Sequence, residues 1–443
     1  MKFLSRTLSA ALLATAIIPS SAIAAHGFKD TLLYRLFTTD AGQHPYIQDI
    51  FHQQFVLRNK ANFRLKRCLT NISADVPESA DITLYVNYDR GYTAMQKLGN
   101  CYTQKTGISI AVEHALPGDD MAGIYSDRAA SGDAPDLILW AHDRIGQWVE
   151  DGYISPISPR RRMFNSVPLT TWEGGKYKGE YYGFPIAIES SALIYNKALI
   201  NQPPTSFEEI SALDLDAVKA IEWDYKNTYF TWGLLAADGG YPFLQTADGW
   251  NASDIGVNNA GAVTGLSAVK NLVETGALDP AANYDSMNEG FLNGSVAMII
   301  NGPWSWPTYE AAGIDIGIAP LPSVAGQNGK PFSGIMMYLV SSQSPFQSEA
   351  QSFVQNYLLT EEGVALIEED YPLGGVLNIS YVLSDDNNPR ILDTLQVAVS
   401  GQQMPNIAEM SNFWNPMAKA IEQAISGELT VREALDQAAV EMQ

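Results

Sequence analysis

The chain has 443 residues, 46% of them hydrophobic, and a formal net charge of −22. A chain of this length and composition can form two or three domains with sizeable cores, which excludes a disordered protein. Its strong negative charge repels phosphate backbones, so we expect no nucleic-acid partner.

The first 25 residues have the pattern of a secretory signal peptide. Lys2 and Arg6 supply the positive start, and the apolar run Leu8–Ile18 is too short to span a membrane. Ala22–Ala24 offers a small-x-small cleavage site, and the polar Pro19–Ser21 argues against a retained anchor. Because no cysteine lies at the cleavage point, a lipid anchor is not indicated. We therefore expect a periplasmic protein that is cleaved near residue 25.

Residues 26–80 differ in charge from the rest of the chain. They contain seven Lys or Arg against five Asp or Glu, whereas residues 81–443 carry a net charge of −26. A basic interaction arm would explain this composition. We prefer a poorly ordered insertion or an error in the reading frame.

The cysteines and histidines predict neither a disulfide scaffold nor a metal site. Cys68 and Cys101 could pair in an oxidising compartment, but we favour two separate thiols. No C-x-x-C pair and no H-E-x-x-H motif occurs, so we expect no metal and no cofactor.

From Asp81 the chain alternates between strands and helices. The patterns predict a strand at 81–87, a helix ended by Gly107, a strand at 108–112, a helix at about 119–130 and a buried strand at 136–140. This alternation is typical of a doubly wound α/β lobe, which binds ligands beyond the carboxyl ends of its strands. That rule selects two loops, Asp89–Arg90 and Trp140–Arg144. Each loop alone fits an ordinary solvated loop. Because the two loops lie at the same sheet edge, a binding crevice becomes an equally good interpretation.

The remainder continues the α/β pattern. It predicts strands at 192–195 and 296–300, a helix through 350–358 and another starting at Thr360. Near the C-terminus Gly427 ends one helix, and Thr430 with Glu433 forms a capping box for the last.

Seven stretches, in order along the chain, carry a resemblance to a known family. They are residues 134–144, 184–197, 229–241, 300–306, 357–363, 404–407 and 413–414. On these stretches residues 81–443 resemble the bacterial periplasmic maltose/maltodextrin-binding proteins, while residues 26–80 have no counterpart.

The resemblance implies a type II periplasmic-binding-protein fold of class α/β, with two doubly wound lobes joined by a three-segment hinge. It assigns lobe 1 to residues 81–187 and 338–383, lobe 2 to 192–332 and 390–443, and the crossings to about 188–191, 333–337 and 384–389. It also implies a monomer that closes around maltose or a maltodextrin. Such proteins deliver the sugar to an ABC permease and often to a chemoreceptor, and have no catalytic residues.

The residue types carried over by the resemblance suit a sugar, which has an apolar face and a rim of hydroxyls. The hydroxyl-binding set is Asp89, Arg90, Asp143, Arg144 and Glu189. The stacking set is Trp140, Tyr229, Phe230, Trp304 and Trp414, with Tyr284, Met404 and Asp119 as weaker matches. Core packing is the alternative role for Phe230, Trp304 and Trp414, and a hinge-stabilising role is the alternative for Glu189.

Four positions depart from the family pattern. Arg90 replaces the usual lysine and Asn227 a glutamate, while Asn415 replaces an aromatic residue and Ala418 an arginine at the far end of the groove. We therefore expect an intact first glucose subsite and weaker distal subsites.

Two other functions remain open. A glycoside hydrolase would also line a cleft with aromatic residues and two carboxylates. Against it, we expect the arginines next to Asp89 and Asp143 to keep both carboxylates ionised and unsuited to act as acids. The second alternative is a solute-binding protein for another sugar, a peptide, a polyamine or a metal.

Overall fold

The computed structural model describes residues 63–247, 249–384, 388 and 390–443. The predicted signal peptide and residues 26–62 lie outside the described residues. Within the part that is described, no helix combines the length and the apolar character needed to cross a membrane.

The chain up to residue 190 forms most of the first lobe. Its elements are α1 (Phe63–Leu69), β1 (Ile82–Val86), α2 (Tyr92–Thr106), β2 (Ile110–His114), α3 (Met121–Ser131), β3 (Leu137–Ala141), α4 (Ile145–Glu150), β4 (Ile154–Ser155), α5 (Arg161–Phe164), α6 (Leu169–Gly174), β5 (Lys176–Tyr177), β6 (Glu180–Tyr181) and β7 (Gly183–Ser190). A 3₁₀ turn at His142–Arg144 joins β3 to α4. The predicted alternation from Asp81 is confirmed, and Gly107 ends α2 with a φ of 80°.

The middle of the chain forms most of the second lobe. Its elements are β8 (Ala192–Asn196), α7 (Phe207–Ser211), β9 (Lys219–Glu222), α8 (Thr228–Leu235), β10 (Leu244–Thr246), β11 (Gly249–Asn251), α9 (Ala260–Glu274), α10 (Tyr284–Leu292), β12 (Val296–Asn301), α11 (Trp306–Ala311) and β13 (Ile316–Ala319). A 3₁₀ turn at Pro303–Ser305 follows β12.

The last part of the chain returns to both lobes. Its elements are β14 (Phe332–Ser341), α12 (Gln347–Phe353) with a π-helical continuation at Val354–Leu358, α13 (Glu361–Asp370), β15 (Gly375–Val376), α14 (Ile379–Val382), α15 (Ile391–Ser400), β16 (Gln402–Gln403), a 3₁₀ turn (Ala408–Asn412), α16 (Trp414–Ser426) and α17 (Val431–Glu441). The predicted cap at Thr360 and the capping box of Thr430 with Glu433 are confirmed.

Two sheets organise the two lobes. The first has the order β15-β7-β14-β3-β1-β2, with β1 parallel to β2 and β3 and with β14 antiparallel to β3 and β7. The second has the order β13-β8-β12-β9. Each sheet has its own hydrophobic core, so the predicted α/β architecture of two lobes is confirmed.

Two strands carry the chain between the lobes. β7 passes through Ser191 into β8 of the second sheet, and β14 begins beside Ser190, whose hydroxyl donates to the carbonyl of Phe332 at 2.8 Å. These crossings lie at the first two positions that the resemblance implies.

The third crossing lies later than we predicted. Helix α15 was assigned to lobe 2, but it buries Ile391, Leu395 and Ala398 in the core of lobe 1. The chain re-enters the second core only at Met404. The boundary carried over from the resemblance was therefore wrong at this crossing. The residue pattern could not have corrected it, because the period of an amphipathic helix shows that it has a buried face but not which core that face covers. Residues 385–387 and 389 of the predicted crossing lie outside the described part.

Residues 63–80, the described end of the segment 26–80, contact lobe 1 at several points. Leu65 of α1 is buried in the core of lobe 1, and the Asn100 amide donates to the carbonyls of Ser73 and Asp75, each at 3.0 Å. Cys68 and Cys101 form a disulfide that joins α1 to α2. The preference for separate thiols was therefore wrong.

Replacing both cysteines should destabilise lobe 1. The disulfide closes a sequence separation of 33 residues, and on the chain-entropy model its loss costs about 4 kcal/mol of unfolding free energy. Urea unfolding of the Cys68→Ser/Cys101→Ser variant measures this, with the reduced wild-type chain as control. Equal stability of the oxidised wild type and the variant would contradict a stabilising disulfide.

Candidate functional site

A cavity of about 500 Å³ lies between the two lobes, at the carboxyl ends of β1 and β3. Every residue of the two predicted sets lines it, and so do the three weaker candidates. The lining predicted residues are Asp89, Arg90, Trp140, Asp143, Arg144, Glu189, Tyr229, Phe230, Trp304 and Trp414, with Asp119, Tyr284 and Met404. The structure therefore brings together residues that are up to 325 positions apart, from Asp89 to Trp414.

Arg90 sits between two carboxylates at the edge of lobe 1. Its Nη1 lies 3.1 Å from Asp89 Oδ1, and its Nη2 donates to Glu189 Oε2 at 3.1 Å. All three side chains are buried. Gly91, with a φ of 64°, lets the chain turn from β1 into α2 beside the carbonyl of Ile367, which an added Cβ would approach to 3.0 Å. Since Glu189 lies on β7, this group links the sheet edge to a crossing strand.

The end of β3 and the 3₁₀ turn that follows it place Trp140, Asp143 and Arg144 at the cavity wall. Asp143 is buried, and the nearest nitrogen of Arg144, Nε, lies 3.8 Å from its Oδ2. His142, which directly precedes Asp143 in the sequence, is fully buried and faces the protein interior. Its Nδ1 accepts from the Ile335 N–H at 3.0 Å, so Nε2 carries the proton and donates to the Met404 carbonyl at 2.9 Å. Burial lowers the pKa of His142 to about 4, and this neutral ring ties β3 to β14 and to the chain near residue 404.

Lobe 2 contributes aromatic rings from three elements. Tyr229 and Phe230 begin α8, Trp304 follows β12 and Trp414 begins α16. The ring centroid of Trp304 lies 6.1 Å from that of Tyr229 and 6.3 Å from that of Phe230, and the Arg90 guanidinium of lobe 1 lies 5.7 Å above Trp304. Phe230 is only 4% exposed and packs behind the others, whereas Trp304 and Trp414 are half-buried.

Burial dominates the electrostatics of two cavity carboxyls. It raises the pKa of Glu189 to about 7, although Arg90 opposes the shift, and raises the pKa of Asp143 to about 6 against the opposing effect of Arg144. The adjacent arginine therefore does not hold the pKa of Asp143 below its ordinary value, as we had expected, because burial outweighs it. Sequence adjacency did not reveal how completely the two lobes remove water from this carboxyl.

Unpartnered polar atoms are concentrated at the cavity. Within the described residues, seven buried side-chain nitrogen and oxygen atoms lack a hydrogen-bond partner, and six of them belong to cavity residues. Three are acceptors, on Asp89, Asp143 and Glu189, and three are donors, on Arg90, Trp140 and Arg144. Two of the six, Asp89 Oδ1 and Arg144 Nε, still take part in ion pairs, at 3.1 and 3.8 Å. Buried polar atoms in folded proteins nearly always have partners. The cavity is therefore matched to a ligand whose groups both donate and accept hydrogen bonds.

The described residues contain no group of three or more His, Cys, Asp or Glu suited to a metal ion. Eight further residues line the cavity: Asn87, Tyr88, Gly118, Leu139, Ala141, Asn227, Gly334 and Met336. Of these eight, we had named Asn227 as a departure from the family pattern, and Ala141 lies in the selected loop Trp140–Arg144; neither was predicted to bind the ligand. Tyr88 lies next to Asp89, and the strand-end rule could have included it. Gly334 and Met336 belong to β14, an antiparallel strand to which that rule does not apply.

Comparison with known proteins gives a family match and several relatives. The family described as bacterial extracellular solute-binding protein matches residues 97–386. The maltooligosaccharide ABC transporter solute-binding lipoprotein of Streptococcus pneumoniae serotype 4 is 26% identical over 381 residues, which cover 82% of this chain and 88% of the relative. The maltodextrin-binding protein of Bacillus subtilis is 28% identical over 385 residues, which cover 83% and 91%. A galactooligosaccharide-binding protein of B. subtilis is 28% identical over 328 residues, which cover 70% and 76%.

The unfolding free energy of the unliganded protein should fall by about 2–4 kcal/mol as the pH rises from about 5 to about 7.5. Glu189 and buried Glu368, whose pKa values are raised to about 7, and Asp143, raised to about 6, hold protons in the folded chain at pH values where the unfolded chain has lost them. His142 opposes this below its ordinary pKa of 6.5, because only the unfolded chain then takes up its proton. Because His142 is one group and the three carboxyls act in the opposite direction, the net effect is a loss of stability as the pH rises.

Urea unfolding at several pH values measures this dependence. Glu189→Gln removes one titrating group and should flatten the profile by that group's share. Stability that rises with pH across this range would contradict the assignment of raised pKa values to the buried carboxyls.

Proposed function

The chain belongs to the bacterial extracellular solute-binding proteins, and we propose that it binds maltose or a maltodextrin between its lobes and delivers it to an ABC-type permease. Two relatives named for maltooligosaccharides and maltodextrins align with more than four fifths of the chain. They support this class of ligand.

The balance of unpartnered donors and acceptors carries the proposal. A sugar hydroxyl donates and accepts at once, so a rim of hydroxyls can satisfy both the carboxylate oxygens and the arginine and tryptophan nitrogens. A polyamine would leave the Arg90 and Arg144 donors without acceptors, and a simple anion would leave the carboxylates without donors. The rings of Tyr229 and Trp304 line the same cavity and offer apolar surface to the C–H face of a pyranose.

Glycoside hydrolysis is the second candidate, and one observation favours it. Raised pKa values, as at Glu189 and Asp143, are what a general acid requires. Against it, the family is one of binding proteins, and Arg90 already occupies one oxygen of Glu189. We therefore propose binding without catalysis. Incubation with maltodextrins followed by chromatography separates the two functions, because protein-dependent release of glucose would contradict ours.

We further propose that the protein is periplasmic, that its signal peptide is removed near residue 25, and that it works as a monomer which also contacts a chemoreceptor. The family description as extracellular supports a location outside the cytoplasm. No cofactor enters this function.

Trp304→Ala should weaken maltose binding by about 2 kcal/mol, or roughly 30-fold, the scale of a binding hot spot. The reason is the loss of the stacking surface that Trp304 presents to the cavity. Isothermal titration calorimetry measures the change. Trp250→Ala is the matched control, because this half-buried tryptophan on β11 lies outside the cavity lining. A loss below about 0.5 kcal/mol, as for ordinary surface substitutions, would remove Trp304 from the site.

Affinity should rise little from maltose to maltotetraose. Asn227 lines the cavity but its side-chain oxygen already accepts from the Tyr229 N–H at 3.0 Å, where it caps α8. Asn415 and Ala418, which replace larger residues of the family pattern, are outside the cavity lining. Titrations with two-, three- and four-glucose chains test this, and Asn227→Glu should favour the longer chains. A steep rise in wild-type affinity with chain length would show the expectation wrong.

A further inference from the structure

The loop after α13 connects lobe 1 directly to lobe 2. The Tyr371 hydroxyl donates to the Trp304 carbonyl at 2.6 Å. Three residues later, Gly374 has a φ of 79° and lies so close to Pro303 that an added Cβ would be 2.6 Å from its Cγ. We call residues 371–374 the latch loop. Its contacts join protein to protein, and Tyr371 is not among the residues that line the cavity.

Glu368 holds the latch loop through a backbone hydrogen bond. Its carboxylate is buried, and Oε2 accepts from the Leu373 N–H at 2.6 Å. The other oxygen, Oε1, accepts from the side-chain amide of Asn388 at 3.0 Å. Asn388 lies just before α15, the helix that precedes the return of the chain to lobe 2. One buried carboxylate therefore holds the latch loop in place and ties it to the third crossing between the lobes.

A contact between the lobes affects binding differently from a contact with the ligand. The apparent affinity of a two-state protein is its intrinsic affinity multiplied by the fraction of molecules in the binding-competent form. A hydrogen bond between the lobes changes that fraction and does not depend on which ligand is present. A cavity residue that touches a distal sugar unit instead changes affinity only for the ligands that contain this unit. A cavity residue at a subsite that all the ligands share could give a common factor, but it would leave the fraction of closed molecules without ligand unchanged.

We propose that Tyr371, positioned by Glu368, stabilises the closed form of the protein and raises the affinity for every ligand by the same factor. This inference rests on the proposed function, since it assumes that the lobes close around a sugar. It assigns an affinity-determining role to a residue that does not touch the ligand, and a positioning role to Glu368.

Tyr371→Phe tests the proposal, because it removes only the hydroxyl. We expect the dissociation constants for maltose, maltotriose and maltotetraose to rise by a common factor of about five, the effect of one hydrogen bond. Tyr241→Phe is the matched control, since its hydroxyl donates to Asp254 Oδ1 at 2.7 Å within lobe 2, and should leave all three constants unchanged. Fluorescence energy transfer between labels on the two lobes should show a smaller closed fraction in Tyr371→Phe than in the wild type.

Glu368→Gln tests the positioning role. An amide offers one acceptor oxygen, so either Leu373 or Asn388 loses its partner, and the dissociation constants should again rise by one common factor. In the double variant the increase should be well below the product of the two single increases, because Glu368 acts through Tyr371.

Three results would overturn the proposal. The first is unchanged affinities in Tyr371→Phe, and the second is an effect on affinity that differs between the three sugars, which would place Tyr371 in a subsite. The third is a double variant whose increase in dissociation constant equals the product of the two single increases, which would separate Glu368 from the latch loop. If the wild type binds none of the sugars, the proposed function fails instead. In that case the distance between labels on the two lobes still tests the latch loop. If Tyr371→Phe leaves the distribution of this distance unchanged, the proposed role of Tyr371 is rejected.

Discussion

The Asp89–Arg90–Glu189 triad is the interaction on which the site depends. Removing ions from water costs several kcal/mol each, and mutual pairing offsets this cost only when the geometry is good. Here Arg90 pairs with Asp89 Oδ1 and Glu189 Oε2, yet Glu189 Oε1 and the Arg90 Nε stay without a hydrogen bond within the described residues. The triad therefore stabilises its own burial only in part, and the remaining polar atoms are left for a ligand.

The position of the triad couples the site to the connection between the lobes. Glu189 lies on β7, which pairs with β14 from Ser190 to Gly183, so the strand that carries this carboxylate also carries the chain out of lobe 1. His142 adds a second tie, because its two nitrogens bond the β14 backbone and the Met404 carbonyl. The wall of the cavity is thus built from the same hydrogen bonds that set the path of the chain from one lobe to the other.

Site residues could be predicted from the sequence where local rules select them. Features that depend on packing between distant parts of the chain could not be predicted. Asp89 follows β1, and Trp140–Arg144 spans the end of β3, so the strand-end rule alone selects them. The aromatic set required the family resemblance, because a tryptophan in sequence looks the same in a core and in a cleft. The core that α15 covers, the pairing of Cys68 with Cys101 and the raised pKa of Asp143 each depend on neighbours far along the chain. No local periodicity encodes them.

The disulfide between α1 and α2 has a mechanical consequence. It fastens the start of the described chain to lobe 1 alone, by a covalent bond as well as by packing. Residue 63 is therefore carried by lobe 1, so in the proposed closure lobe 2 moves relative to the start of the described chain. A surface or label coupled to α1 would hold lobe 1 in place and report the movement of lobe 2.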